Sequence, residues 1–210
     1  MKINYFNNLA FQKTLCAKAG VLVNGKSEKC NIYKLNQEED LNYFDKCSKD
    51  KNWKNDRWIF WVEKTVKKLN EMPQKNIFVI ENQNKDCLGY IETEMQIYRP
   101  KDKSLPPINC THISFLETAP NLKNNDENNQ ITHKYIGETL FAFICKLSNK
   151  KNIPCIKLNS LDNSVGFYDK CNCTYIPVAS ANFMIIDENN YKKTIKQNEK
   201  HTGKRMQLYI

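Results

Sequence analysis

One local pattern constrains this chain more than any other. A β-like run, Thr111-His112-Ile113-Ser114-Phe115-Leu116-Glu117-Thr118-Ala119-Pro120, is followed by Thr132-His133-Lys134-Tyr135-Ile136-Gly137-Glu138-Thr139-Leu140, which opens a helix. Apolar Ile136, Leu140, Phe143, Ile144 and Leu147 recur at the spacing of one helical face. Gly137 at the mouth of that helix lets backbone approach a ligand closely. The first-turn N–H groups have no partner within the helix and favour an anion. Strand, turn, glycine and helix together describe a phosphate cradle.

The length of 210 residues suits one domain with a sizeable core. No apolar run is long enough for a transmembrane helix, and Met1-Lys2-Ile3-Asn4-Tyr5 lacks the apolar stretch of a signal peptide. These features predict a cytoplasmic protein with no membrane partner, a monomer or a homodimer. Nine cysteines lie at irregular spacing with three His and no CxxC pair, so they read as small core residues and no metal site is expected. The net charge of +9 invites an acidic partner. Lys outnumbers Arg 29 to 3 and Asn reaches 28, the stamp of AT-rich coding, whereas base readers and phosphate clamps prefer Arg forks. Dedicated nucleic-acid binding is therefore not the favoured reading.

Along the chain, residues 1–29 read as an N-terminal extension without assigned structure, 30–186 as the folded domain, and 187–210 as a basic C-terminal tail or docking segment. The first strand is expected at Cys30–Leu35. Helices are expected at Gln37–Lys49 and Arg57–Leu69, with Met72-Pro73 stopping the second. A strand pair, Ile77–Glu81 and Cys87–Glu94, follows across an Asn-rich turn. Then come the strand from Thr111, the glycine helix, a strand from Cys155, a short helix from Ser164, and closing strands Thr174–Ile176 and Asn182–Ile186.

The segment from Leu158 to Lys170 is a strand, a polar cap and a short helix carrying Phe167-Tyr168-x-Lys170. Together with Lys134-x-x-Gly137-x-Thr139 and the strand end Leu116-x-Thr118-x-Pro120, it resembles the GCN5-related N-acetyltransferase (GNAT) superfamily over roughly residues 30–186. The family signature is Gln/Arg-x-x-Gly-x-Gly/Ala; here Lys134 and Thr139 depart from it, and Asn121–Thr132 lengthen the connection. The resemblance implies an α/β (α+β) GNAT fold, a central mixed twisted sheet of about six or seven strands with helices on both faces. It also implies acetyl-CoA as cosubstrate and transfer of its acetyl group to a primary amine by direct attack in a ternary complex.

Site residues follow from the same resemblance. Backbone of Lys134, Tyr135, Ile136, Gly137, Glu138 and Thr139 would cradle the pyrophosphate, with Lys134 adding a point charge. The pantetheine arm would pair with Leu116 and Thr118 on a splayed strand, opened by a bulge near Leu116 or Glu117 that aims an N–H at the thioester oxygen. Asn163 would cap the short helix and touch the arm. Tyr168 would be the general acid for the leaving thiolate. The general base would be His112, four residues before Leu116 and on its face, or Glu117, while Glu92 and Glu94 could attract a cationic amine. The acceptor is a small molecule or a protein or peptide amine, with aminoacyl-tRNA the main nucleic-acid case. Tyr43, Phe44, Trp53, Trp58, Trp61 and Pro177 to Ala181 are candidates to line its pocket. Two other readings stand beside the enzyme: a catalytically silent acyl-CoA-binding protein of this fold, and a basic RNA-binding module.

Overall fold

A computed structural model describes residues 13–35, 75–99, 104, 106–119, 122, 133–178 and 181–210. The strands are β1 (Thr14–Val23), β2 (Lys26–Lys34), β3 (Lys75–Glu81), β4 (Cys87–Tyr98), β5 (Ile108–Thr118), β6 (His133–Lys134), β7 (Cys155–Ser160), β8 (Thr174–Val178), β9 (Ala181–Asp187) and β10 (Gln207–Leu208). The helices are α1 (Ile136–Lys150), α2 (Val165–Lys170) and α3 (Glu188–Thr202).

All ten strands join one sheet, ordered β10-β1-β2-β3-β4-β5-β7-β9-β8, with β6 also pairing β1. The pairing is antiparallel throughout except between β5 and β7, which run parallel. Parallel neighbours need a crossover, and α1 supplies it. The sheet thus exceeds the six or seven strands expected from the sequence.

The short β6 before α1 and both ends of the chain account for the excess. The expected N-terminal extension contains β1, and Asn24 and Gly25, at φ 50° and 75°, make the two-residue turn into β2. An Asn-Gly pair between extended segments is a strong hairpin signal because both positions need positive φ. The expected C-terminal tail is instead α3, capped by Asp187 accepting from the Asn190 N–H and ended by Gly203 at φ 65°, followed by β10 on the edge of β1. Its basic composition concealed an amphipathic stripe: Tyr191, Thr194, Ile195, Asn198 and Thr202 are buried.

The main core lies between the sheet and the three described helices, centred on Leu140, Phe141, Phe143 and Ile144 with Ile32, Phe78, Ile91 and Ile156. Helix α1 is buried well beyond its periodic stripe, Phe141, Ala142 and Cys145 included, because α3 covers the side that would otherwise meet water. A smaller cluster, Leu35, Ile77, Val79, Cys87, Tyr90 and Ala119, is separate from it. The eight described cysteines are free and buried, as core residues. The helices expected at Gln37–Lys49 and Arg57–Leu69 lie outside the described residues.

Candidate functional site

The site is built where two parallel strands part. Strands β5 and β7 pair from Cys110↔Cys155 to Ile113↔Leu158 and no further. Beyond that point no strand among the described residues pairs with β5 on its β7 side. A cleft opens there, lined by Ser114 to Glu117 of β5, Asn159 and Ser160 of β7, Leu161, Ser164 and Tyr168. It continues outward between Thr118, Gly137, Leu161, Asn163, Ser164 and Phe167.

The divergence has a local cause. Glu92 pairs with Phe115 but the next residue, Thr93, pairs with Ile113, so Ser114 is an extra residue in β5. Such a bulge bends the strand and increases its twist. It sits at Ser114, not at Leu116 or Glu117 as expected. It also breaks the alternation that would place His112 and Leu116 on one face. Glu94 opposes His112 and Glu92 opposes Phe115, so His112 shares its face with Phe115. Leu116 packs against the main core on the other face. Past the bulge β5 leans close to β4: a Cβ at Gly89 would lie 2.7 Å from the Glu117 carbonyl oxygen.

At the outer end, α1 is preceded by its N-cap residue Tyr135, which adopts the left-handed conformation (φ 68°) and whose side chain accepts no capping hydrogen bond. The first intrahelical bond runs from the Thr139 N–H to the Tyr135 carbonyl, 2.8 Å. The N–H groups before it have no helical acceptor. A Cβ at Gly137 would meet Phe167 at 3.5 Å and Thr118 at 3.7 Å, ordinary contacts. Among the described residues no contact there demands glycine, and Gly137 lines the outer cleft.

Tyr168 stands at the inner end, 7% exposed, with its ring edge-on to Phe141 and Phe167 at 5.7 and 4.9 Å. Burial, with smaller contributions from Cys173 and Cys171, pushes its phenol above the ordinary tyrosine range, so it holds its proton at neutral pH. Glu117 lines both parts of the cleft. His112 is not among the residues that line it, and its Nδ1 lies 3.2 Å from Gln96 Nε2 and 3.3 Å from Glu94 Oε1. Burial lowers its pKa most; Glu94 opposes that shift and Lys157 and Lys75 add to it. Glu92, fully buried, pairs one carboxylate oxygen with Lys75 Nζ at 2.8 Å, while the other meets no hydrogen-bond partner among the described residues.

The cleft gathers Leu116, Glu117, Thr118, Gly137, Asn163 and Tyr168. It does not gather the side chains of the other residues expected around the pyrophosphate. Lys134 is exposed on β6, Ile136 enters the core, and Tyr135, Glu138 and Thr139 turn toward α3 and β1. Asn163 does not cap α2; that place belongs to Ser164, whose hydroxyl donates to Asn163 Oδ1 at 3.2 Å. Leu161, Ser164 and Phe167 were not foreseen, although Phe167 precedes the singled-out tyrosine. Tyr43, Phe44, Trp53, Trp58 and Trp61 lie outside the described residues. Among the described residues no cluster of His, Cys, Asp or Glu could hold a metal ion, and no helix is long and apolar enough to cross a membrane.

No protein-family model and no curated protein matches the chain. Solved structures do. A crystal structure of AtaTR bound with AcCoA superposes with a TM-score of 0.60 at 13% identity, covering 78% of this chain and 96% of that one. AtaT complexed with acetyl-methionyl-tRNAfMet gives 0.57 at 14% identity, covering 78% and 98%. A KacTA–DNA complex gives 0.54 at 10% identity, covering 69% and 87%. The chain has the GNAT fold. Strand β1, helix α3 and strand β10 stand outside the GNAT element order read from the sequence. Two of them, β1 and α3, are what Thr139 bonds, so its departure from the signature's small residue has a structural reason: its hydroxyl bonds Gly20 of β1 and Asn198 of α3.

Proposed function

We propose that this protein is an acetyl-CoA-dependent N-acetyltransferase that acts on a primary amine. The observation that carries the reading is the parting of β5 and β7 after Ile113 and Leu158, which opens a cleft between the mouth of α1 and a protonated, buried Tyr168. When bound, acetyl-CoA supplies an activated acyl carbon and a thiolate leaving group.

Each part of the site has a task in that reaction. First-turn amides of α1 around Gly137 hold an anionic pyrophosphate. The β5 edge from Ser114 borders the cleft, where an extended amide-bearing arm would lie along it as an added strand does. A backbone N–H on that edge can stabilise charge on the carbonyl oxygen. The amine nitrogen forms a bond to the acyl carbon as the carbon–sulfur bond breaks. The amine's proton passes to a base on β5: Glu117, which lines the cleft, or His112, kept neutral by burial and backed by Glu94. Tyr168 gives its proton to the departing sulfur and regains one from solvent.

Among amines, an aminoacyl-tRNA is the acceptor to test first. The support is the neighbour solved with acetyl-methionyl-tRNAfMet. The test incubates the full chain with acetyl-CoA and a panel of aminoacyl-tRNAs, polyamines, aminoglycosides and peptides. Released thiol and a one-acetyl mass gain on a single class would support the enzyme. Acetyl-CoA binding without thiol release across the panel would favour the catalytically silent reading. RNA binding without acetyl-CoA binding would favour the basic module.

A further inference from the structure

Glu138 is the third residue of α1, and its surroundings run against local expectation. From that position a carboxylate ordinarily folds back to cap the free N–H at the start of its own helix. Here the helix start has no side-chain cap, yet Glu138 does not supply one. His201 Nδ1 faces both its oxygens, at 3.0 and 3.1 Å. Because a carboxylate only accepts, that nitrogen carries the hydrogen. Asn198 Nδ2 adds a donor to Glu138 Oε1 at 3.4 Å. The His201 ring also stacks on Tyr135, the residue that begins the helix, with centroids 4.8 Å apart. Asn198 donates as well to Thr139 Oγ1 at 3.0 Å, and Thr139 donates to the Gly20 carbonyl, so the grip is anchored in the sheet.

We propose that α3 keeps the phosphate-binding end of α1 open by holding Glu138 away from it, with His201 as the positioning residue. The inference rests on the reading of that end as the seat of an anionic pyrophosphate. A released Glu138 would compete for the same N–H groups and would repel a bound phosphate through its charge. The C-terminal helix thereby serves cofactor recognition without touching the cofactor.

The test uses the full chain, with acetyl-CoA as the probe, calorimetry for binding and steady-state kinetics for turnover. His201→Ala should raise the acetyl-CoA dissociation constant and KM about five- to tenfold, the effect of one charge near a helix end, with kcat at saturation unchanged. His201→Gln keeps a donor toward Glu138 and should bind close to wild type. Glu138→Gln combined with His201→Ala should recover most of the loss, because the competing charge is gone. A merely structural role for His201 would not be suppressed by a change at Glu138. Wild-type affinity in His201→Ala, or no recovery in the double variant, overturns the proposal. Wild-type protein that does not bind acetyl-CoA overturns the reading of the site and this inference with it, a result seen before any variant is made.

Discussion

Thr139 Oγ1 donates to the Gly20 carbonyl across 3.0 Å, tying the second turn of α1 to a strand 119 residues away. The same oxygen accepts from Asn198 Nδ2, and all of this is buried. Thr139→Val keeps the shape and removes both bonds. It should cost about 1–3 kcal/mol, because a buried carbonyl and a buried amide are left without this partner. Urea unfolding measures it; an unchanged midpoint would mean that the network does not hold β1 and α3 to the cradle.

Gly137→Ala should fold normally, since its Cβ meets Phe167 and Thr118 at ordinary contact distances. Gly137→Asp adds a carboxylate where the pyrophosphate would sit and should abolish measurable acetyl-CoA binding with the fold retained. Calorimetry beside circular dichroism separates the two effects. Undiminished affinity in the Asp variant would remove the cradle from the mechanism.

Tyr168→Phe keeps the edge contacts with Phe141 and Phe167, so stability should change little. If the phenol protonates the thiolate, kcat should fall about 10²–10⁴-fold while acetyl-CoA still binds. A hydroxyl that only binds ground-state substrate would act on KM instead. Wild-type kcat in the Phe variant would refute the acid role.

The base is identified by substituting Glu117→Gln and His112→Gln separately. The correct change lowers the rate at neutral pH, leaves acetyl-CoA binding intact and alters the acid limb of the pH profile. If His112 is the base, that limb lies below the ordinary histidine value of 6.5, because burial lowers its pKa. If neither substitution slows turnover, the proton leaves by another route and both assignments fail.

Stability should fall toward both extremes of pH. Burial raises Cys30 and Cys173 to about 12 and lifts Tyr168 and Tyr191 above the ordinary range. In the unfolded chain thiols and phenols release protons near 9.0 and 10.0. The unfolded state therefore binds fewer protons there, and stability present below pH 9 is lost as pH rises. At the acid end His112 and His133 stay neutral in the fold below 6.5, while the unfolded chain takes up protons, so stability also declines on acidification. Urea midpoints measured across pH would show a plateau between these limits; a flat profile above pH 9 would contradict the buried, protonated side chains.

Local chemistry was enough to locate the centre of this protein. The periodic apolar face of α1, Gly137 at its mouth, and Phe167-Tyr168 after a strand and polar cap were readable because helix period, glycine and capping act over a few residues. Those motifs led to the GNAT fold and to six residues that the cleft brings together. Tertiary structure decided the rest. The single extra residue at Ser114 is invisible to strand alternation, yet it places His112 and Leu116 on opposite faces, because a bulge is fixed by pairing with β4. The basic C-terminal segment looked like a tail because its buried stripe is interrupted by polar residues. Asn198 is satisfied by Glu138 and Thr139 of α1, and Thr202 by the Asn198 carbonyl of its own helix and by Lys204 in the turn after it. Glu138 and Thr139 sit in the right stretch of sequence for a cofactor site, but their side chains serve α3 and β1. Sequence fixes which groups are near the helix mouth; packing between distant segments fixes which way they point.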